Sequence, residues 1–240
     1  MLMSFNSSHT PQILDISDNN IGASEAKIVS EFLQSNNKLK SLIIAKNQLF
    51  LNGIKEISLA VKINRTLKIL NLSDTYINSE GAIALADALK INETLAWLDL
   101  SHNKLDAKGG EAVASCLEVN HSITYLNLER SNLGDNGMKS ISRMLHVNHA
   151  LNTVLLAKNK IGVDSAASIA ECLKVNRVLV QLDISWNNLG DAGALLIVEV
   201  LAESWVAVLI DIRYNHVSDN ATLKIMGKTA CLICRVLIEN

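Results

Sequence analysis

Apolar residues recur along this chain in two alternating rhythms. Around Leu98 and Leu100 they fall at every second position, the pattern of a short strand with one buried face. A stretch such as Ala82, Leu85, Ala86, Ala88 and Leu89 follows the three-and-four spacing of a helix with one buried side. The alternation is strictly periodic. Steps of 28 from Asn103 land on Asn19, Asn47, Thr75, Ser131, Asn159, Asn187 and Asn215. Three residues upstream of the eight positions stand Ile16, Ile44, Leu72, Leu100, Leu128, Leu156, Ile184 and Ile212. Two downstream stand Ile21, Leu49, Ile77, Leu105, Leu133, Ile161, Leu189 and Val217. The frame predicts eight strand–turn–helix units without insertion or deletion.

One such unit cannot bury its apolar side alone, whereas stacked neighbours share a continuous core. The asparagines of the frame are expected to satisfy backbone groups in the turn after each strand. A second series, Asn36, Asn64, Asn92, Asn120, Asn148 and Asn176, follows the helices and is expected to cap them in the left-handed conformation. Gly53, Gly81, Gly109, Gly137 and Gly193 recur near helix starts, where loop backbone needs freedom. Ser24, Ser79, Asp135, Asp164 and Asp191 are expected as N-caps.

The motif carried by Leu95, Leu98, Leu100, Asn103 and Leu105 resembles the leucine-rich repeat, and the resemblance covers roughly residues 11 to 217. A strict 28-residue unit with a helical second half is similar to the ribonuclease-inhibitor-like class, which includes repeats of NOD-like receptors and of bacterial leucine-rich-repeat effectors. The resemblance implies an α/β solenoid of about eight repeats, a horseshoe with a parallel β-sheet on the concave face and α-helices on the convex face. Strands about 4.8 Å apart and helices about 8–10 Å apart impose the same curvature. Residues 1–10 are expected as a short lead-in, 11–218 as the repeats, and 219–240 as a last helix and C-terminal capping segment. The apolar tail CLICRVLIEN, with Ile238 in frame, reads as a helix end running into a last strand. Its outer edge is either capped or available for self-association.

Composition narrows the partners. Lys and Arg number 22 against 24 Asp and Glu, with no basic run, which argues against nucleic acid. The apolar stretch from Gly193 to Ile212 is interrupted by Glu199, Glu203 and Asp211, and reads as a buried helix plus strand rather than a membrane span. The start lacks a secretory pattern. Cys116 and Cys172 stand two repeats apart, too far for a disulfide, and Cys231 and Cys234 form an isolated CxxC pair with no second half of a zinc site. A reducing cytoplasm, or a host cytoplasm for a delivered effector, fits this usage.

No nucleophile, phosphate-cradling or metalloprotease motif is present, and His121, His146 and His149 lack ligand spacing. Neither a catalytic residue, a metal nor a cofactor is expected. Strand residues between the leucines project from the concave face instead. Trp97, Tyr125, Trp186 and Tyr214 fall there, four of the six Trp and Tyr residues in the chain. Such residues dominate interface hot spots. Asp99, Asn127, Arg130, Asp183, Asp211 and Arg213 complete the candidate partner-binding set. Acids outnumber bases on this face, so a protein partner with a basic patch is expected. The expected function is a non-enzymatic protein–protein interaction module, such as a stand-alone effector. The alternatives are a regulatory protein resembling Ran GTPase-activating proteins, or a recognition segment of a cytosolic immune receptor. This assignment of faces predicts that Leu100→Asp costs several kcal/mol in urea unfolding, whereas Asp99→Ala, facing solvent, costs little.

Overall fold

The structure is a computed structural model describing residues 11–203, 208–229 and 235–238. Strands and helices alternate in chain order: β1 (Ile13–Asp15), α1 (Ala23–Ser35), β2 (Ser41–Ile43), α2 (Phe50–Ile63), β3 (Ile69–Asn71) and α3 (Ser79–Leu89). They continue as β4 (Trp97–Asp99), α4 (Asp106–Leu117), β5 (Tyr125–Asn127), α5 (Gly134–Val147), β6 (Thr153–Leu155) and α6 (Val163–Val175). The last are β7 (Gln181–Asp183), α7 (Gly190–Glu203), β8 (Leu209–Asp211), α8 (Asp219–Thr229) and β9 (Arg235–Leu237). All described strands form one sheet in sequence order, every neighbour parallel.

The period sets the register. Leu70, Leu98 and Leu126 are cross-strand partners, each 28 residues from the next. The core runs between sheet and helices: Leu98, Leu100 and Leu105 are fully buried, as are Leu117 and Cys116 on α4. In α3 the buried side is Gly81, Ala82, Leu85, Ala86, Ala88 and Leu89, as the spacing predicts. The apolar stretch after Gly193 enters α7 and reappears in β8, with residues 204–207 outside the described set. The final step departs from the frame. Ile210 pairs with Val236, 26 residues on, so β9 sits two residues earlier than Ile238 implied. Val236 and Ile238 both pack against the core. Cys231 and Cys234 lie outside the described residues.

Asparagine side chains tie each repeat to the one before. The Asn103 Oδ1 accepts the backbone N–H groups of Thr75 (3.1 Å) and Ile77 (2.9 Å). Its Nδ2 donates to the carbonyls of Leu72 (2.8 Å), Leu100 (3.0 Å) and Ser101 (3.2 Å). Asn47, Asn159 and Asn187 repeat the arrangement. The second series makes the same kind of bridge at the helix end. Asn92 Oδ1 accepts from Thr94 and Leu95, and its Nδ2 donates to Val61 (2.7 Å) and Asn64 (3.1 Å).

Three local expectations are corrected. The second asparagines stand at helix ends, but in extended backbone: Asn64 has φ −66° and ψ 134°. They serve by amide reach rather than by left-handed tolerance. Left-handed backbone falls instead on the residue before each first-series position, from Asp18 to Tyr214. The recurrent glycines provide room, not freedom: a Cβ on Gly109 would lie 2.9 Å from Leu105 Cβ, and one on Gly137 would lie 2.8 Å from Leu133 Cβ. Finally, the side-chain cap of α3 is Asn78, which accepts from the Gly81 N–H, not Ser79. Ser79, Asp135 and Asp191 reach across to the next repeat, bonding Leu105, Gly162 and Ser218 respectively.

An interior rung that serves five backbone groups differs from one at the sheet edge, where Asn19 Nδ2 donates to Ser17 within its own turn. Asn103→Ala should lower the unfolding free energy by about 3–5 kcal/mol, and Asn19→Ala by about 0.5 kcal/mol, in urea titrations.

Candidate protein-binding face

In-register parallel strands put equivalent residues one strand spacing apart, about 4.8 Å. Two aromatic residues at equivalent positions of adjacent repeats must therefore stack. Trp97 and Tyr125 are cross-strand partners, and their rings lie 4.7 Å apart at 12°. Trp186 and Tyr214, also 28 apart, stack at 4.1 Å and 25°. Ile69 pairs with Trp97 on the neighbouring strand and stays 38% exposed, extending the apolar surface. Burial foremost, then the negative charges of Asp99 and Glu129, raises the Tyr125 hydroxyl above its ordinary pKa. The phenol therefore stays neutral beside Trp97 at physiological pH.

The four rings do not make one patch. Trp97 and Tyr125 open their strands, whereas Trp186 and Tyr214 lie in the turns after β7 and β8. Both turn residues have left-handed backbone, with φ of 56° and 57°. This conformation costs an L-residue about 1–2 kcal/mol and suits Asn or Asp far better than Trp or Tyr. Lys158 places its Nζ 5.0 Å from the Trp186 ring centre, covering that side of the stack. A pocket of about 310 Å³ opens beside these rings, lined by Trp186, Asn188, Tyr214, His216 and Val217.

The polar candidates divide into holders and exposed groups. Asp99 does not face solvent: it is 8% exposed, and its Oδ1 accepts the Ser101 N–H (2.8 Å) while Oδ2 accepts from Asn127 Nδ2 (3.2 Å). Asn127, Asp183 and Asp211 likewise accept the N–H two residues on, from Glu129, Ser185 and Arg213. An acceptor at the last strand residue closes the turn that follows, as Asn and Asp side chains do in Asx turns. Arg213 folds onto Asp211, with Nη2 to Oδ2 at 2.6 Å. Arg130 stays exposed, its Nε 3.8 Å from Glu129, which also lies 3.9 Å from Lys158. Asp99, Asp183 and Asp211 thus serve their own turns, and Asp211 and Glu129 stand beside cations that offset their charge.

Sequence reading missed a third stack. Phe50 and Tyr76 lie 5.0 Å apart at 29°. They are 26 residues apart, so columns drawn at 28 separate them. Both have left-handed backbone, φ 47° and 60°, and are 50% and 58% exposed. Their signal was the rarity of exposed aromatics in a chain with 4% of them.

Elsewhere, Cys116 and Cys172 are free thiols inside the helix layer, pushed up to about 12 chiefly by burial. Among the described residues, no three His, Cys, Asp or Glu side chains stand close enough to hold a metal ion, and no helix is long and apolar enough to cross a membrane.

A leucine-rich-repeat family profile matches residues 64–86, 92–114, 119–142 and 175–198. No curated protein matches the sequence. Among solved structures, the leiomodin-1 actin-binding site 2 is 20% identical, with a TM-score of 0.50 over 55% of this chain and 78% of that one. A Bacteroides fragilis protein is 16% identical, with a TM-score of 0.51 over 90% of this chain and 72% of its own. The profile and the repeated strand–helix unit show that the chain carries leucine-rich repeats, and the two solved structures share its fold.

Asp99→Ala would leave the buried Ser101 N–H and the Asn127 amide without this partner. It should cost about 1–3 kcal/mol in urea unfolding, with most of the loss restored by Asp99→Asn, which keeps an acceptor for Ser101.

Proposed function

We propose that the protein is a non-enzymatic interaction module that binds a protein partner through its concave face. The supporting observation is the Trp97–Tyr125 stack beside exposed Ile69, on a sheet surface opposite the helices. Rigid aromatic anchors contribute much contact area with little loss of side-chain freedom. Asp99, beside these rings, is engaged in its own turn, which makes it a poor general acid or base. The leiomodin-1 fragment of similar fold is described as an actin-binding site, in keeping with use of such a fold for protein contact. Steering by a basic partner has modest support, because Asp99 and Asp211 are buried and hydrogen-bonded. Self-association is a subordinate part of the proposal, supported by β9 at the end of the described sheet with Leu237 exposed.

Affinity capture from a eukaryotic lysate tests the reading. Partners held by the wild type should be lost from a folded Trp97→Ala, Tyr125→Ala variant. Equal retention by both proteins would move the site off the sheet face.

A further inference from the structure

Every exposed aromatic side chain among the described residues stands on one edge of the solenoid, in the turns that lead from strand to helix or, for Phe50, at the first helical residue. They are Phe50, Tyr76, Trp186 and Tyr214, between 37% and 58% exposed. All four occupy left-handed backbone, and each stacks on a ring from the adjacent repeat. Neither feature serves the core. Polar residues fill the position of Trp186 and Tyr214 in the other repeats, namely Asp18, Lys46, Asp74, His102, Arg130 and Lys158. Bulky rings on this conformation, turned to solvent, are a surface feature that folding does not require.

The two stacks bracket a charged strip. One lies across the second and third repeats and the other across the seventh and eighth, five strand spacings away, or about 24 Å. Between them, the positions on either side of the first asparagine series hold His102, Lys104, Arg130, Asn132, Lys158 and Lys160, with no carboxylate. Glu129, reaching from the sheet side, offsets one charge at 3.8 Å from Arg130 and 3.9 Å from Lys158. Asp106, at the repeat position of Phe50, takes a hydrogen bond from Asn132 and offsets a second charge. The edge therefore presents apolar, cationic and apolar surfaces in that order.

We propose that this edge docks an extended, acidic segment of a partner protein, with apolar side chains about seven residues apart seated on the two aromatic stacks. The proposal rests on the reading of the protein as an interaction module, and names the partner's chemistry and a surface distinct from the Trp97–Tyr125 face. A protein segment fits better than a single-stranded nucleic acid. Each ring has one face taken by its stacking partner, and Lys158 lies over the other face of Trp186, so the second stack offers a base only the outer face of Tyr214. The pocket of about 310 Å³ beside Trp186 and Tyr214, with Val217 in its lining, accommodates an apolar anchor.

The test is selection of a random displayed peptide library, about 16 residues long so as to span both stacks, against the wild-type protein. Enriched peptides should be acidic, carry two apolar residues six to eight positions apart (about 24 Å in extended form), and weaken with salt. Their affinity should fall about tenfold or more for Phe50→Ser, Tyr76→Ser and separately for Trp186→Asn, Tyr214→Asn. The second variant should keep or raise the urea midpoint, since Asn suits the left-handed position, which separates lost binding from lost folding. Basic, uncharged or single-anchor peptides, or peptides indifferent to both variants, would overturn the proposal. Peptides lost only from Trp97→Ala, Tyr125→Ala would overturn it while leaving the sheet-face reading standing; no enrichment would remove both. Tighter binding of a mixed-sequence single-stranded oligonucleotide, or a wild-type dimer dissolved by the edge variants, would assign the edge to another occupant.

Discussion

The amide side chain of asparagine, bonded to the backbone of two successive repeats, is the constraint on which the rest of this structure depends. An isolated strand of three residues exchanges too few hydrogen bonds to hold its turn. Asn103 supplies two acceptances and three donations at a single buried point, joining residues from Leu72 to Ser101. Asn92 makes two such acceptances and two donations at the other end of the strand layer. Because each bridge spans a fixed stretch of backbone, an added or missing residue between rungs would leave buried polar groups unpaired. Where the frame does slip, between β8 and β9, the shift is two residues. An even shift keeps alternate side chains on the same face of a strand.

This division of labour decides which side chains can do anything else. At the end of most strands an Asp or Asn closes its own turn, so residues that look available for binding, Asp99 above all, are part of the frame. What remains is a short set: Trp97 and Tyr125 on the sheet, and the exposed rings and cations along the turn edge. The rings stack because the repeat spacing nearly coincides with the centre-to-centre separation of two stacked aromatic rings. Recognition surfaces thus inherit their geometry from the ladder beneath them.

The fold was legible in the residues because its two periods are local and its apolar positions hold one frame from β1 to β8. Leu98 and Leu100, the buried side of α3 and the pairing of Trp97 with Tyr125 all follow from counting in steps of 28. Conformation within the turns was not. Whether Asn64 is left-handed or extended, and whether Gly109 supplies freedom or room, depends on what the neighbouring repeat presses against it. Asp99 was misplaced for a similar reason: its column faces the sheet surface, but an acceptor two residues before an open N–H turns inward to meet it. Phe50 and Tyr76 escaped notice because a staggered contact of 26 residues is invisible to a count of 28.

Native-state hydrogen exchange tests the central claim most directly, at amides whose only described partners are asparagine side chains. Thr75 and Ile77 donate to Asn103, Asn159 and Ile161 to Asn187, and Leu95 to Asn92. If these bridges hold the solenoid, those amides exchange only through the cooperative opening that also exposes the paired strand amides, with matching free energies. Independent, rapid exchange at these amides while the strands stay protected would contradict it.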